Sequence, residues 1–124
     1  MIKTVSLQTA KLLKEEGFPQ ETALFYRVDE FGNVFERNAN EDPLKMQKVL
    51  GTNIYYAKHT TDELLEELPD DIITIYKVNY GYQVSCDVHQ IEKKIYDKCL
   101  PEALAQMWLY LKKSNLLSGR EVEE

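Results

Sequence analysis

Two cysteines, two histidines and one tryptophan leave this chain of 124 residues poor in the side chains that carry most covalent and metal chemistry. So few cysteines exclude a disulfide-stapled scaffold, and a chain of this length needs none, since it can bury about two-thirds of its unfolded surface. The five glycines stand singly, so no phosphate-cradling loop is present. No apolar run approaches the roughly 20 residues of a spanning helix, which argues against membrane insertion. The start, Met1 to Ser6, lacks the apolar core of a signal peptide. Reduced thiols and a cytoplasmic location are therefore expected. Lys and Arg number 15 against 21 Asp and Glu, for a net charge of −6. The basic residues are scattered, as in Lys93-Lys94 and Lys112-Lys113, so binding to a nucleic-acid backbone is not expected.

What the chain does contain is an ordinary globular composition, 44% hydrophobic and 29% charged. One run, Tyr82-Gln83-Val84-Ser85-Cys86-Asp87-Val88-His89, alternates apolar and polar at period two. That is a strand with one buried and one wet face, sending Cys86 inward and Asp87 and His89 outward. Around it, Ser6 caps a helix carrying Leu7, Ala10, Leu12 and Leu13 and stopped at Gly17. Strands over Thr22–Val28 and Val34–Arg37 flank Asp29-Glu30-Phe31-Gly32-Asn33 as a hairpin. Residues 38–52 stay undecided, with a short helix offered by Leu44 to Leu50, and Ile54–Ala57 reads as a short strand.

Thr60 and Glu63 form a capping box for a helix with Leu64, Leu65 and Leu68 that ends at Pro69. A second hairpin, Ile72–Val78 and Tyr82–His89, turns at Asn79-Tyr80-Gly81; both tips suggest a type I turn closed by a glycine bulge. Residues 90–99 stay open between a loop and a strand extension through Ile95. Pro101 starts the strongest helix, whose face is Leu100, Leu104, Met107, Trp108 and Leu111. The expectation is one α+β domain over residues 1–118 with a frayed acidic tail over 119–124. Its order is helix, hairpin, helix, hairpin, helix, which hints at duplication. A single antiparallel sheet from the two hairpins would carry the helices on one face.

Three stretches then carry a resemblance: Ser6 to Phe18, Tyr55-Tyr56-Ala57 leading into Asp62 to Leu68, and Leu100-Pro101-Glu102-Ala103-Leu104-Ala105. The chain resembles a family of small phage- and prophage-encoded proteins of unknown function. That resemblance implies no known active site, cofactor or substrate. The chain departs from the family where Lys58 and His59 stand between Ala57 and Thr60, and in a longer 38–52 segment.

Each chemical constellation has a plainer competitor. Cys86 and His89 lie on opposite faces of a strand, so they make neither a metal pair nor a nucleophile with its base. Cys99 joins them only by a fold-back. His59-Thr60-Thr61 matches a His-x-Thr element of phosphodiester hydrolases, but the second such element is missing and Thr60 serves as a cap. Glu66, Glu67, Asp70 and Asp71 offer paired carboxylates for a nucleic-acid mimic, or simply a solvated helix end. The eight tyrosines are the richer signal. Tyr80 at a turn, together with Tyr55 and Tyr56, are the candidate binding residues. The reading is a non-enzymatic protein-binding or accessory module without cofactor. Its partner is a host or phage protein, or a second copy in a homodimer. A phosphodiester hydrolase using His59 and an acidic nucleic-acid mimic are the alternatives.

Overall fold

The computed structural model describes residues 3–20, 22, 24–38, 54–69, 72–88, 91–114 and 116. The expected helix over Leu44–Leu50, Asp70, Asp71, His89 and the tail over 119–124 lie outside the described residues. The chain gathers into two compact units, Ser6–His59 and Met1–Val5 with Thr60–Glu124.

In the first unit, Ser6 caps α1 (Leu7–Glu15) by accepting the Thr9 N–H at 3.3 Å. Thr9, Ala10 and Leu13 are buried, whereas Leu12 faces solvent, off the stripe to which it was assigned. At the C-terminal end Phe18 N–H bonds the Leu13 carbonyl while Gly17 takes a φ of +91°. Strands β1 (Leu24–Val28), β2 (Val34–Asn38) and β3 (Ile54–Ala57) form one antiparallel sheet in the order β2-β1-β3. Central β1 is buried on both faces, through Phe25 and Tyr26. The β1–β2 turn is pinned by Asp29, whose Oδ1 accepts the Phe31 and Asn33 backbone N–H groups at 2.9 and 2.8 Å. Gly32, at φ +87°, donates to the Asp29 carbonyl and closes the turn.

In the second unit, Thr60 and Glu63 form the capping box of α2 (Thr61–Glu66), and Leu64 and Leu68 are buried. Strands β4 (Ile73–Val78), β5 (Gly81–Val88) and β6 (Ile91–Asp97) make a second antiparallel sheet in the order β4-β5-β6. Helix α3 (Leu100–Lys113) packs on β5, β6 and α2. It buries Leu104, Met107, Trp108 and Leu111 with Val84, Cys86 and Ile95 of the sheet.

The fold is α+β, but the single sheet expected from two hairpins is corrected to two sheets of three strands. Each hairpin recruits its own third strand: β3 pairs along β1, and β6 along β5. That fills one edge of each hairpin, on β1 and on β5, and leaves β2 and β4 as outer strands. The shared-tip expectation also divides. Gly32 closes its turn as expected, but Gly81, at φ +152°, lies within the ladder opposite Val78. A Cβ there would stand 2.4 Å from the Asp97 carbonyl oxygen, so the bare backbone serves the close approach of β6. Ser85, placed on the wet face by alternation, is buried between Thr74 and Lys94, its register partners.

Candidate protein-binding surface

Register places Tyr76, Gln83 and Tyr96 side by side across β4, β5 and β6, on the face opposite Val84 and Cys86. Tyr76 is 52% exposed and Tyr96 61% exposed, while Tyr80 at the β4–β5 turn reaches 86%. An open concavity of about 480 Å³ lies at this end of the sheet, lined by Val78, Tyr80, Gly81, Tyr82, Tyr96 and Asp97 among others. Gly81 is part of its lining, where the bare backbone lets the end of β6 approach closely. The rim is held rather than loose. Asp97 accepts the Cys99 N–H at 2.9 Å through Oδ1 and the Gln106 amide at 3.0 Å through Oδ2, tying β6 to α3. Rigid aromatics with wet hydroxyls around a mainly apolar hollow are the materials of a protein interface.

The other candidate residues stand elsewhere in the chain's chemistry. Tyr55 and Tyr56 lie in the first unit and are half-buried. The Tyr55 ring meets Phe25 edge-on at 5.2 Å, and its carbonyl accepts from Lys14 at 2.8 Å. The Tyr56 ring lies under Lys14 and Lys11, at 5.1 and 5.8 Å. Tyr55 and Tyr56 thus belong to one unit and Tyr80 to the other. His59 is 1% exposed, its Nε2 pairs with the Pro19 carbonyl at 2.8 Å, and its ring sits 4.6 Å from Phe18. Since a carbonyl only accepts, that nitrogen carries the proton and donates it. Thr60 is spent on its capping box, so this segment presents no open acid–base pair to a substrate.

Burial pushes the Cys86 thiol above its ordinary pKa, which keeps it protonated and a weak nucleophile. Cys99 is half-buried, with its sulfur 3.9 Å from the Thr4 carbonyl. Among the described residues no group of three His, Cys, Asp or Glu side chains could hold a metal ion. Glu66 and Glu67 are exposed at the end of α2. No helix among the described residues is long and apolar enough to cross a membrane.

Tyr96 is not among the candidate site residues of the sequence, where residues 90–99 stay open and a strand extension reaches only Ile95; the strand runs over Ile91–Asp97. Its signal is masked by Lys93, which occupies an inward position between Ile91 and Ile95. Lys93 reaches over the Tyr110 ring of α3 at 5.0 Å, so a charge sits where alternation demands an apolar residue. Comparison with protein-family models, with curated proteins and with solved structures finds no match.

Proposed function

We propose that this chain is a non-enzymatic protein-binding module of the cytoplasm, of the kind that phages and prophages encode, and that it binds through the β4–β5 end of its second sheet. The observation that carries this reading is the hollow lined by Tyr80, Tyr82 and Tyr96, of which Tyr80 at the turn is 86% exposed. A tyrosine on a rigid hairpin supplies large contact area while freezing only two side-chain torsions. Its polar tip keeps the free protein soluble. An apolar or aromatic side chain of the partner fills the hollow, and Tyr80 packs over it.

The reading is tested by capture from host extract with immobilised wild type, Tyr80→Ala and Tyr96→Ala. Loss of an anchor costs about 2 kcal/mol, roughly thirtyfold in Kd, so both variants lose the partner that wild type retains. Equal recovery by all three, with folding intact by circular dichroism, overturns the proposal. So does turnover of a phosphodiester that disappears in His59→Ala.

A further inference from the structure

We infer that the open edge of β4 is a self-pairing surface, where two copies of this chain join β4 to β4, antiparallel, into one continuous six-stranded sheet. Its outward-bonding residues, Ile73, Ile75 and Lys77, do not line the tyrosine hollow.

The direction of the backbone groups follows from one hydrogen bond. Asp87 N–H donates to the Ile72 carbonyl at 3.2 Å, continuing the register in which Ile73 stands opposite Cys86. Bonding direction alternates along an antiparallel ladder. Ile72, Thr74, Tyr76 and Val78 therefore bond toward β5, and the N–H and C=O groups of Ile73, Ile75 and Lys77 point to the open edge.

Two of the other sheet edges, β3 and β6, are blunted more than this one. On β3 the same parity turns Tyr55 and Ala57 outward, where Lys14 bonds the Tyr55 carbonyl and Gln20 accepts the Ala57 N–H at 3.0 Å. On β6 the outward-bonding residues include Glu92 and Lys94, charges that deter added strands, whereas β2 with Glu36 and β4 with Lys77 place one charge each there. Strand β4 has no proline and no break in register, and its only charge is Lys77. Thr74 to Val78 are exposed throughout, and among the described residues no side chain bonds to this edge.

The faces of β4 need a neighbour too. Because α3 rests on β5 and β6, Val84 and Ile95 are buried, yet Ile75 in the same row stays 37% exposed. A second β4 supplies that neighbour because the strand is complementary to itself. Centred on Ile75, the two-fold register sets Ile75 against Ile75, Thr74 against Tyr76 and Ile73 against Lys77. Each lysine then meets an aliphatic side chain and never the other lysine, and all three outward residues find a partner. A register centred on Tyr76 leaves Ile73 unpaired. One strand pair falls well short of the roughly 800 Å² per partner of a standard interface, so the dimer is weak, with Kd on the order of 100 μM.

Sedimentation equilibrium over a concentration series reaching about five times that Kd reads the association directly. Wild type is expected to shift from monomer to dimer. Ile75→Pro removes one outward N–H and leaves the bonds to β5 in place, a substitution that edge strands tolerate. Ile75→Lys sets two ammonium groups face to face on the axis. Each variant is expected to weaken the dimer at least tenfold, and added salt restores part of the loss in Ile75→Lys alone. Tyr80→Ala is expected to dimerise as wild type does, which separates this edge from the tyrosine hollow. A wild type that stays monomeric across the series, even if it takes up a foreign peptide strand, overturns the inference. Two Ile75 variants that dimerise normally also overturn it, as does a dimer lost only in Tyr80→Ala.

Discussion

Replacing Gly81 with alanine tests whether β6 depends on a bare backbone at the start of β5. Gly81 has a φ of +152°, and an added Cβ would lie 2.4 Å from the Asp97 oxygen, 2.7 Å from the Lys98 Cα and 2.9 Å from the Asp97 carbon. All three are backbone atoms, so no flexible side chain can swing away. Nor can the end of β6 retreat freely, because both carboxylate oxygens of Asp97 are bonded, to Cys99 and to Gln106. The strained φ costs about 1–2 kcal/mol for an L side chain. Forcing the strands apart adds about 1–3 kcal/mol, as overpacking typically does. A total of roughly 2–5 kcal/mol follows, read by urea unfolding with the fluorescence of Trp108, which lies in the same unit. Gly32→Ala is the control. Gly32 also has positive φ, but nothing lies within 4 Å of its added Cβ, so only strain of about 1 kcal/mol remains, followed by circular dichroism. A Gly81→Ala cost no larger than that of Gly32→Ala would refute the close-approach argument.

Trp108→Ala should cost about 3–5 kcal/mol, because the ring is buried in the helix layer that covers β5 and β6; a loss under 1 kcal/mol by circular dichroism in urea would place it outside the core. Partial desolvation raises the Asp29 carboxyl, but hydrogen bonds from Asn33 and Phe31 outweigh it and hold the group below its ordinary 3.8. A lowered folded-state value means stability that is present above pH about 4 and lost as pH falls through the lowered value. Acid titration by NMR should therefore loosen the β1–β2 turn in wild type, with Asp29→Asn showing no such pH dependence; identical acid profiles would refute the role of the carboxylate.

Where a signal is local, the sequence was legible. Ser6 and the Thr60–Glu63 capping box are set by residues three apart, and both caps form as read. The alternation from Tyr82 to Cys86 sends Val84 and Cys86 inward, because period two is a property of one strand alone. Pairing is different. Nothing in Ile54–Ala57 says that it will lie along β1, since that choice is made by hydrogen-bonding edges distant in sequence. Lys93 left β6 undecided by using an inward position for a charge that α3 accommodates, and Tyr96 stayed outside the candidate site with it. Tyr80 was legible because a two-residue turn leaves its side chains little to pack on.

The two sheets give tyrosine opposite fates. In the first, Tyr26 is buried, Tyr55 meets Phe25 and Tyr56 lies under two lysines. Those rings are consumed by packing within their own unit. In the second, the helix layer serves the face of Val84, Cys86 and Ile95, and the opposite face keeps Tyr76 and Tyr96 in water. Leaving such area exposed forgoes the roughly 25 cal/mol per Å² that burying its apolar part would contribute. Scattered singly, exposed aromatics would need no explanation, but here Tyr76, Tyr80, Tyr96 and Val78 adjoin one another at one end of one sheet. Solubility alone does not require that grouping, because lysine or glutamate would serve it better at each of these positions. On the proposed reading, a partner that buried the group would recover what the free chain forgoes, and Asp97 ties the end of β6 to α3 beside it.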